Sequence, residues 1–411
     1  MPASIAKNQP QRRAIVIGGS MSGLFAGLML KAAGWQVDIY EKVEGELSGR
    51  GAGIVAQPEI FAVLSDLGLR ANELGVPVQK RRMFDAKGRM TLETECPQVM
   101  TAWERVYRIL RDAFPPSLYH RGRSLTALEQ DSKGVTAIFS DGARESADLL
   151  IGADGIRSTV RALCAPGSDP LYAGYVAWRA LVAESAMSRD VHRDIFGYMA
   201  FCLPPGEQML GYPVAGADND LRPGHLRYNM VWYRPADEHT ELVSLLTDES
   251  GVAHSMSIPP PLIRRTAIAA MREAAARLLA PQFVEVVALA AQPILQPIYD
   301  LESRALAFGR VAIIGDAAFV ARPHVGAGVA KAAGDAKALV AALSENADVP
   351  AALRRYEAER LPAGRVMVQR ARHLGAYLQA ARNSEEAAHS AKHSIPEAVL
   401  DETATLDFLY A

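Results

Sequence analysis

Residues 18–23 read Gly-Gly-Ser-Met-Ser-Gly, placed between the apolar run 13–17 and a stretch of helical apolar spacing from Leu24 to Ala33. Gly18 and Gly23 hold the first and third places of a G-x-G-x-x-G fingerprint, and Ser20 takes the second. Small residues there permit a tight turn and bring a pyrophosphate close to the amides of a helix N-terminus; Ser20 also adds a hydroxyl donor. Gly34 caps the helix, Trp35 to Tyr40 reads as a second strand, and Glu41 ends it, 23 residues after Gly18. A carboxylate at that place can accept both hydroxyls of a ribose. Strand, helix, strand and terminal acid in this order predict a dinucleotide site spanning Gly18, Gly19, Ser20, Met21, Ser22, Gly23, Glu41 and Lys42. The plainer alternative is a glycine-rich turn with no ligand.

Two further runs carry chemistry. The run Asp148-Leu-Leu-Ile-Gly152-Ala-Asp154-Gly155 delivers an Asp-Gly pair at a strand end, followed by Arg157 and Arg161 at a basic helix start. Those arginines can meet phosphate or lie on a solvated helix face. In the run Arg310-Val-Ala-Ile-Ile-Gly315-Asp316, a buried strand ends in a carboxylate. The loop Pro323-His324-Val-Gly326-Ala-Gly328-Val329 then leads into a helix whose first amides can polarise a ring or an anion. The alternative for Asp316 is a capping residue at a βα turn.

The elements around these runs change character along the chain. Apolar β-branched strands near 13–17 and 310–315 suit a parallel sheet buried on both faces. Helices are expected at 58–68 and 104–114, the latter stopped by Pro115-Pro116. Residues 134–139 and 143–151 read as a hairpin around Asp141-Gly142. From 172 to 300, segments such as 208–214 and 226–233 mix apolar, polar and aromatic residues, which predicts a second, mostly antiparallel sheet. Helices follow Pro259-Pro260-Pro261, near 262–280, and then at 328–344 and 350–382; the tail after 383 is polar and low in pattern until 396–410.

Composition removes several classes. Lys+Arg 44 against Asp+Glu 46 leaves a net charge of -2, so no basic face for nucleic acid is expected. Cys96, Cys164 and Cys202 are far apart with no C-x-x-C pair, which argues against a zinc site or a disulfide framework and for a reducing, cytoplasmic setting. The uncharged stretch Ala14 to Leu30, preceded by Arg12 and Arg13, resembles a membrane signal, but its glycines and serines suit the strand, turn and helix better. No membrane partner is expected.

These motifs, in this order and spacing, resemble the single-component FAD-dependent aromatic hydroxylases that share the para-hydroxybenzoate hydroxylase fold, across residues 12–380. The strings GGSMSGL, LSGRGAGIVAQPE, YAGYVAWR and RPHVGAGVAKA are similar to the dihydroxypyridine-hydroxylase branch. The resemblance implies an α/β (α+β composite) fold: a Rossmann-like FAD-binding domain, an inserted, mostly antiparallel substrate domain, and C-terminal helices. Its expected division is a flexible 1–11, an FAD-binding domain of 12–75, 100–171 and 301–345, a substrate domain of 76–99 and 172–300, and 346–411 as helices and tail.

By the same resemblance, Arg50, Gly53, Leu125, Asp154, Gly155, Gly315, Asp316, Pro323, Gly326, Gly328 and Val329 join the dinucleotide run as FAD contacts. Ala327 stands where the family has glutamine, and Tyr107 where it has arginine, with Arg105 and Arg108 as nearby substitutes. His324 and Tyr212 are the expected catalytic residues; Arg50, Cys202, Tyr212, Tyr228 and His324 are the expected substrate pocket. His324 can alternatively be satisfied by backbone, and the two tyrosines and Cys202 by core packing. Trp178 and Arg179, in a Y-x-G-x-x-x-W-R strand, suit structural and interdomain roles at least as well as catalysis. The implied reaction uses NADH or NADPH and O2, through a flavin C4a-hydroperoxide, to hydroxylate a small dihydroxypyridine-like ring. The alternatives are another small aromatic (hydroxynicotinate, hydroxybenzoate or urate-like) or a flavin reductase or dehydrogenase of the same fold. The expected assembly is a homodimer.

Overall fold

The computed structural model describes residues 11–47, 53–70, 73–379, 384–406 and 408. The expectation of a flexible 1–11 therefore falls almost entirely outside the described residues, as does Arg50.

Strand Arg13–Ile17 has Ala14, Ile15 and Val16 fully buried, as a strand covered on both faces must. It lies inside a six-stranded sheet ordered Ala307–Phe308, Val311–Ile313, Leu149–Gly152, Arg13–Ile17, Gln36–Glu41 and Tyr119–Arg121. The pairings are parallel apart from the Ala307–Phe308 edge. Helix Met21–Ala32 makes the first crossover and packs against helix Gly328–Glu345. This is the Rossmann-like half of the fold.

The second sheet has nine strands, ordered Phe319–Val320, Ile294–Glu302, Leu171–Ala183, Arg227–Pro235, Gln208–Val214, Met199–Cys202, Val76–Phe84, Met90–Ala102 and Gly53–Ala56. Its pairings are antiparallel except where Met199–Cys202 runs parallel to Val76–Phe84. One face carries a core around Trp178, Tyr228 and Trp232, roofed by helices Arg265–Leu278 and Pro281–Leu289. The other face carries a separate core around Tyr175, Phe201 and Tyr212.

Three local expectations change. The strand expected at 143–151 is two strands in two sheets. Between them the Asp148 carboxylate accepts the Arg13 amide at 2.8 Å, so 144–147 joins a small three-stranded sheet while 149–152 enters the parallel one. The helix expected near 262–280 is followed by a second one that Pro281 starts, because a first-turn proline lacks only an N–H that the helix leaves unbonded anyway. The pattern-poor tail contains helices Ser384–His393 and Pro396–Glu402. Among the described residues no helix is long and apolar enough to cross a membrane.

Candidate active site

A cavity of about 820 Å³ runs from the C-terminal ends of the parallel strands to the second sheet. Strand ends of an open parallel sheet are where ligands bind, because the loops there diverge and helices begin. Here Arg13–Ile17, Gln36–Glu41 and Leu149–Gly152 bring Gly18, Glu41 and Asp154 to one groove. Ser20, Met21, Ser22, Lys42, Leu125 and Gly155 also line it. Gly18 has φ +107, and a Cβ on it would lie 2.3 Å from the Ala153 carbonyl oxygen, so the turn admits no other residue. Gly19 and Gly23 do not line the groove; they pack behind it, against the Tyr119 hydroxyl and the Gly18 carbonyl.

Glu41 is buried, with one carboxylate oxygen accepting the Gly19 amide at 2.8 Å and the other accepting the Val43 amide at 3.0 Å. Those bonds fix its orientation and leave lone pairs for further hydroxyls. Asp154 accepts from the Ser158 hydroxyl at 2.5 Å and from the Thr159 amide at 2.7 Å. Burial pushes its carboxyl above the usual range, against the pull of those donors. Arg157 stands at the cavity wall, with its guanidinium donating to Ser257 at 2.8 Å. Arg161 is a structural residue instead: its guanidinium is buried and donates to the carbonyls of Ile156, Ser168 and Ala317.

The third run arrives from the far side. Asp316, Pro323, His324, Gly326, Gly328 and Val329 line the cavity. Gly315 donates its amide to Asp335 at 2.9 Å, and Lys331, itself buried, reaches Asp316 at 3.3 Å. Sequence reasoning passed over Asp335 and Lys331, which hold this loop from within helix Gly328–Glu345. Tyr107 turns its hydroxyl to Glu46 at 3.2 Å, and Arg105 and Arg108 bond to Glu73, Asn219 and Glu104. None of the three lines the cavity.

In the second sheet the two-residue alternation of strands decides which side chains reach the cavity. Arg179, Leu210, Tyr212, Val231 and Tyr233 face it, together with Met199. Cys202 and Tyr228 have the opposite phase and belong to the core on the other face, so neither forms part of the pocket. Tyr228 is fully buried beside Phe196 and Gly211, and its hydroxyl has no partner among the described residues. Trp178 likewise goes to the core, while Arg179 enters the cavity and donates to the Gly53 carbonyl and to Gln296, each at 3.0 Å. Tyr212 stands over Gly53, and burial pushes its phenol up to about 12.

His324 is 2% exposed and its Nε2 lies 2.9 Å from the Tyr175 hydroxyl. Its ring centroid is 4.3 Å from that of Tyr233. Burial, and secondarily the Arg322 cation, push its pKa down to about 3. Arg322 is held in turn by Asp300 at 2.8 Å, both side chains being buried. The imidazole is therefore neutral across the working pH range and acts as a hydrogen-bonding group. Tyr175 and Arg322 lie within strings that carry the resemblance but were not singled out, and Asp300 carried no local signal in the sequence.

The donor set fits FAD. Helices Met21–Ala32 and Gly328–Glu345 both begin at the cavity with no side-chain cap and no acidic residue in the first turn. Their free amides can meet a pyrophosphate at one end and an electron-rich ring edge at the other. The Glu41 carboxylate, lining the same groove, can accept ribose hydroxyls.

The family described as FAD binding domain matches residues 11–176 and 269–371, and one described as FAD binding domain-like matches 172–300. The chain belongs to the FAD-binding-domain family of flavin-dependent monooxygenases. It is 34% identical to a 2,6-dihydroxypyridine 3-monooxygenase of Paenarthrobacter nicotinovorans, over 89% of this chain and 91% of that protein. It is 30% identical to an FAD-dependent urate hydroxylase of Klebsiella pneumoniae, over 88% of each. The solved 2,6-dihydroxypyridine-3-hydroxylase from Arthrobacter nicotinovorans superposes with a TM-score of 0.85 at 33% identity, covering 90% of this chain and 93% of that one. The cofactor is FAD, and the inserted sheet and parallel half follow the hydroxylase fold.

Proposed function

We propose that this monooxygenase hydroxylates a small, hydroxylated nitrogen heteroaromatic of the dihydroxypyridine class, using NAD(P)H and O2. The observation that carries this is the inner wall of the cavity. It presents Tyr212, Tyr233 and the neutral imidazole of His324 to a planar ring. In that wall Arg322 is paired with Asp300, while Arg179 donates to Gln296 and to the Gly53 carbonyl, and each arginine keeps one buried nitrogen without a partner among the described residues. A hydroxyl or oxo substituent on such a ring needs only a neutral donor or acceptor, which the His324 imidazole supplies. The similarity to a 2,6-dihydroxypyridine 3-monooxygenase supports the same choice.

Bound FAD, reduced by NAD(P)H, supplies the activated oxygen. The chain supplies the rest. Glu41 and the amides after Gly18 hold the dinucleotide end. The loop Pro323–Val325 and the start of helix Gly328–Glu345 hold the ring end. His324 orients a substrate hydroxyl by hydrogen bonding, with the Tyr175 hydroxyl holding its ring from behind. Tyr212, Leu210, Val231 and Met199 keep that end apolar and dry.

The test is NAD(P)H oxidation by the FAD-loaded protein against dihydroxypyridines, hydroxybenzoates and purines, with product and peroxide both measured. Dihydroxypyridine-dependent oxidation with stoichiometric hydroxylated product is expected. Preference for a carboxylated ring or for urate would overturn the substrate class, and peroxide without product for every ring would point to a reductase.

A further inference from the structure

We propose that the C-terminal segment Pro396–Leu406 is part of the active site, walling the substrate end of the cavity and positioning the His324 loop. This rests on reading that cavity as the substrate site. The segment lies far from the FAD motifs in sequence, and its pattern is weak, yet Thr403 and Ala404 line the cavity. Helix Pro396–Glu402 packs on strands Val76–Phe84 and Met90–Ala102, burying Val399 and Leu400 in the core of the cavity face.

The contact with the loop is made through backbone. The Ala404 amide donates to the His324 carbonyl at 2.6 Å. The Ala404 carbonyl accepts from Gln57 at 3.0 Å and from Gln98 at 2.8 Å. Gly326, at φ +61, fits against Ala404 so closely that a Cβ on it would lie 2.8 Å from the Ala404 Cβ. Ala404 itself holds φ +55, a conformation that a residue with a Cβ seldom adopts. A strained residue bonded on both sides is one whose surroundings over-determine it.

The anchor is Arg81. Its side chain is fully buried, and its guanidinium donates to the Leu400 carbonyl and, at 2.6 Å, to Gln98. Gln98 thus joins Arg81 to Ala404. Arg81 does not line the cavity, so it acts as a positioning residue, through Leu400 and Gln98.

The test compares Ala404→Pro, Ala404→Gly and Arg81→Met as FAD-loaded proteins. Proline has no N–H for His324 and cannot adopt φ near +55; glycine keeps the N–H and tolerates that φ. The first readout is hydrogen exchange at the Gly326 amide, which bonds to the Pro323 carbonyl at 2.9 Å. Ala404→Pro and Arg81→Met should raise that exchange roughly tenfold or more, while Ala404→Gly keeps it protected. The second readout is the Kd of a dihydroxypyridine from the flavin difference spectrum, which should weaken roughly five- to tenfold in the same two variants, as for one lost buried hydrogen bond. Native exchange and native Kd in Ala404→Pro would overturn the proposal. If Ala404→Pro does not fold, Arg81→Met against Ala404→Gly decides it by the same two readouts. If the unaltered protein binds no dihydroxypyridine, the substrate class fails by itself, and Gly326 exchange still judges the C-terminal wall.

Discussion

The buried neutral His324 makes acid stability measurable as a property of one side chain. Its pKa is lowered from 6.5 to about 3, chiefly by burial. Below pH 6.5 the unfolded chain therefore takes up a proton that the folded one refuses, and stability is lost as pH falls from there toward 3. At about pH 5 the lost stability is the 1.5-unit gap below 6.5 at about 1.4 kcal/mol per unit, or about 2 kcal/mol. His324→Gln keeps a polar amide near the Tyr175 hydroxyl and cannot titrate. Urea unfolding of the FAD-loaded proteins at about pH 7.5 and about pH 5 gives the double difference, which should show the variant losing about 2 kcal/mol less on acidification. The same burial means that kcat/KM should show no inflection near pH 6.5 arising from His324. An equal acid loss in both proteins, or a ¹³C-labelled His324 resonance that titrates near 6.5, would refute the reasoning and return the residue to the role of an ordinary base.

Other outcomes follow from the same geometry. Glu41→Ala should weaken FAD binding by about 1.5–3 kcal/mol, because the acceptor is charged and buried; flavin fluorescence titration measures it, and unchanged affinity would remove Glu41 from the site. Tyr228→Phe should leave KM unchanged and alter stability by no more than about 1 kcal/mol, in the stabilising direction, since it deletes a buried hydroxyl with no partner among the described residues; a raised KM would place Tyr228 at the cavity after all. Gly18→Ala should abolish FAD retention, because its Cβ would lie 2.3 Å from the Ala153 carbonyl oxygen; a fully flavin-loaded variant in a purified-protein absorbance spectrum would contradict the turn geometry.

The cofactor end was legible because its determinants are local. A turn that demands glycine at Gly18, a helix that starts at Met21 and an acid ending the strand at Glu41 all lie within one β-α-β unit. The substrate end was harder. Alternation shows that neighbouring residues on a strand face opposite ways, but not which phase meets the cavity. Tyr212, Cys202 and Tyr228 were all expected in the pocket; Tyr212 lines the cavity, whereas Cys202 and Tyr228 lie on the face that the helices of the inserted sheet cover. Arg161, at a helix start, left open a phosphate contact or a solvated helix face; its partners are carbonyls that include one on Ala317, a contact across 156 residues that no local pattern encodes.

The sequence by itself determined the parallel strands, the glycine turn at Gly18, the acid at the end of the second strand and the family, since backbone conformation and short-range spacing impose those. Tertiary structure decided the rest: Tyr175 against His324, Asp300 on Arg322, and Ala404 bonded to the His324 carbonyl. Those pairings depend on strand register and on which faces two sheets present to one cavity. Such choices are set by packing over the whole chain rather than by any run of neighbours within it.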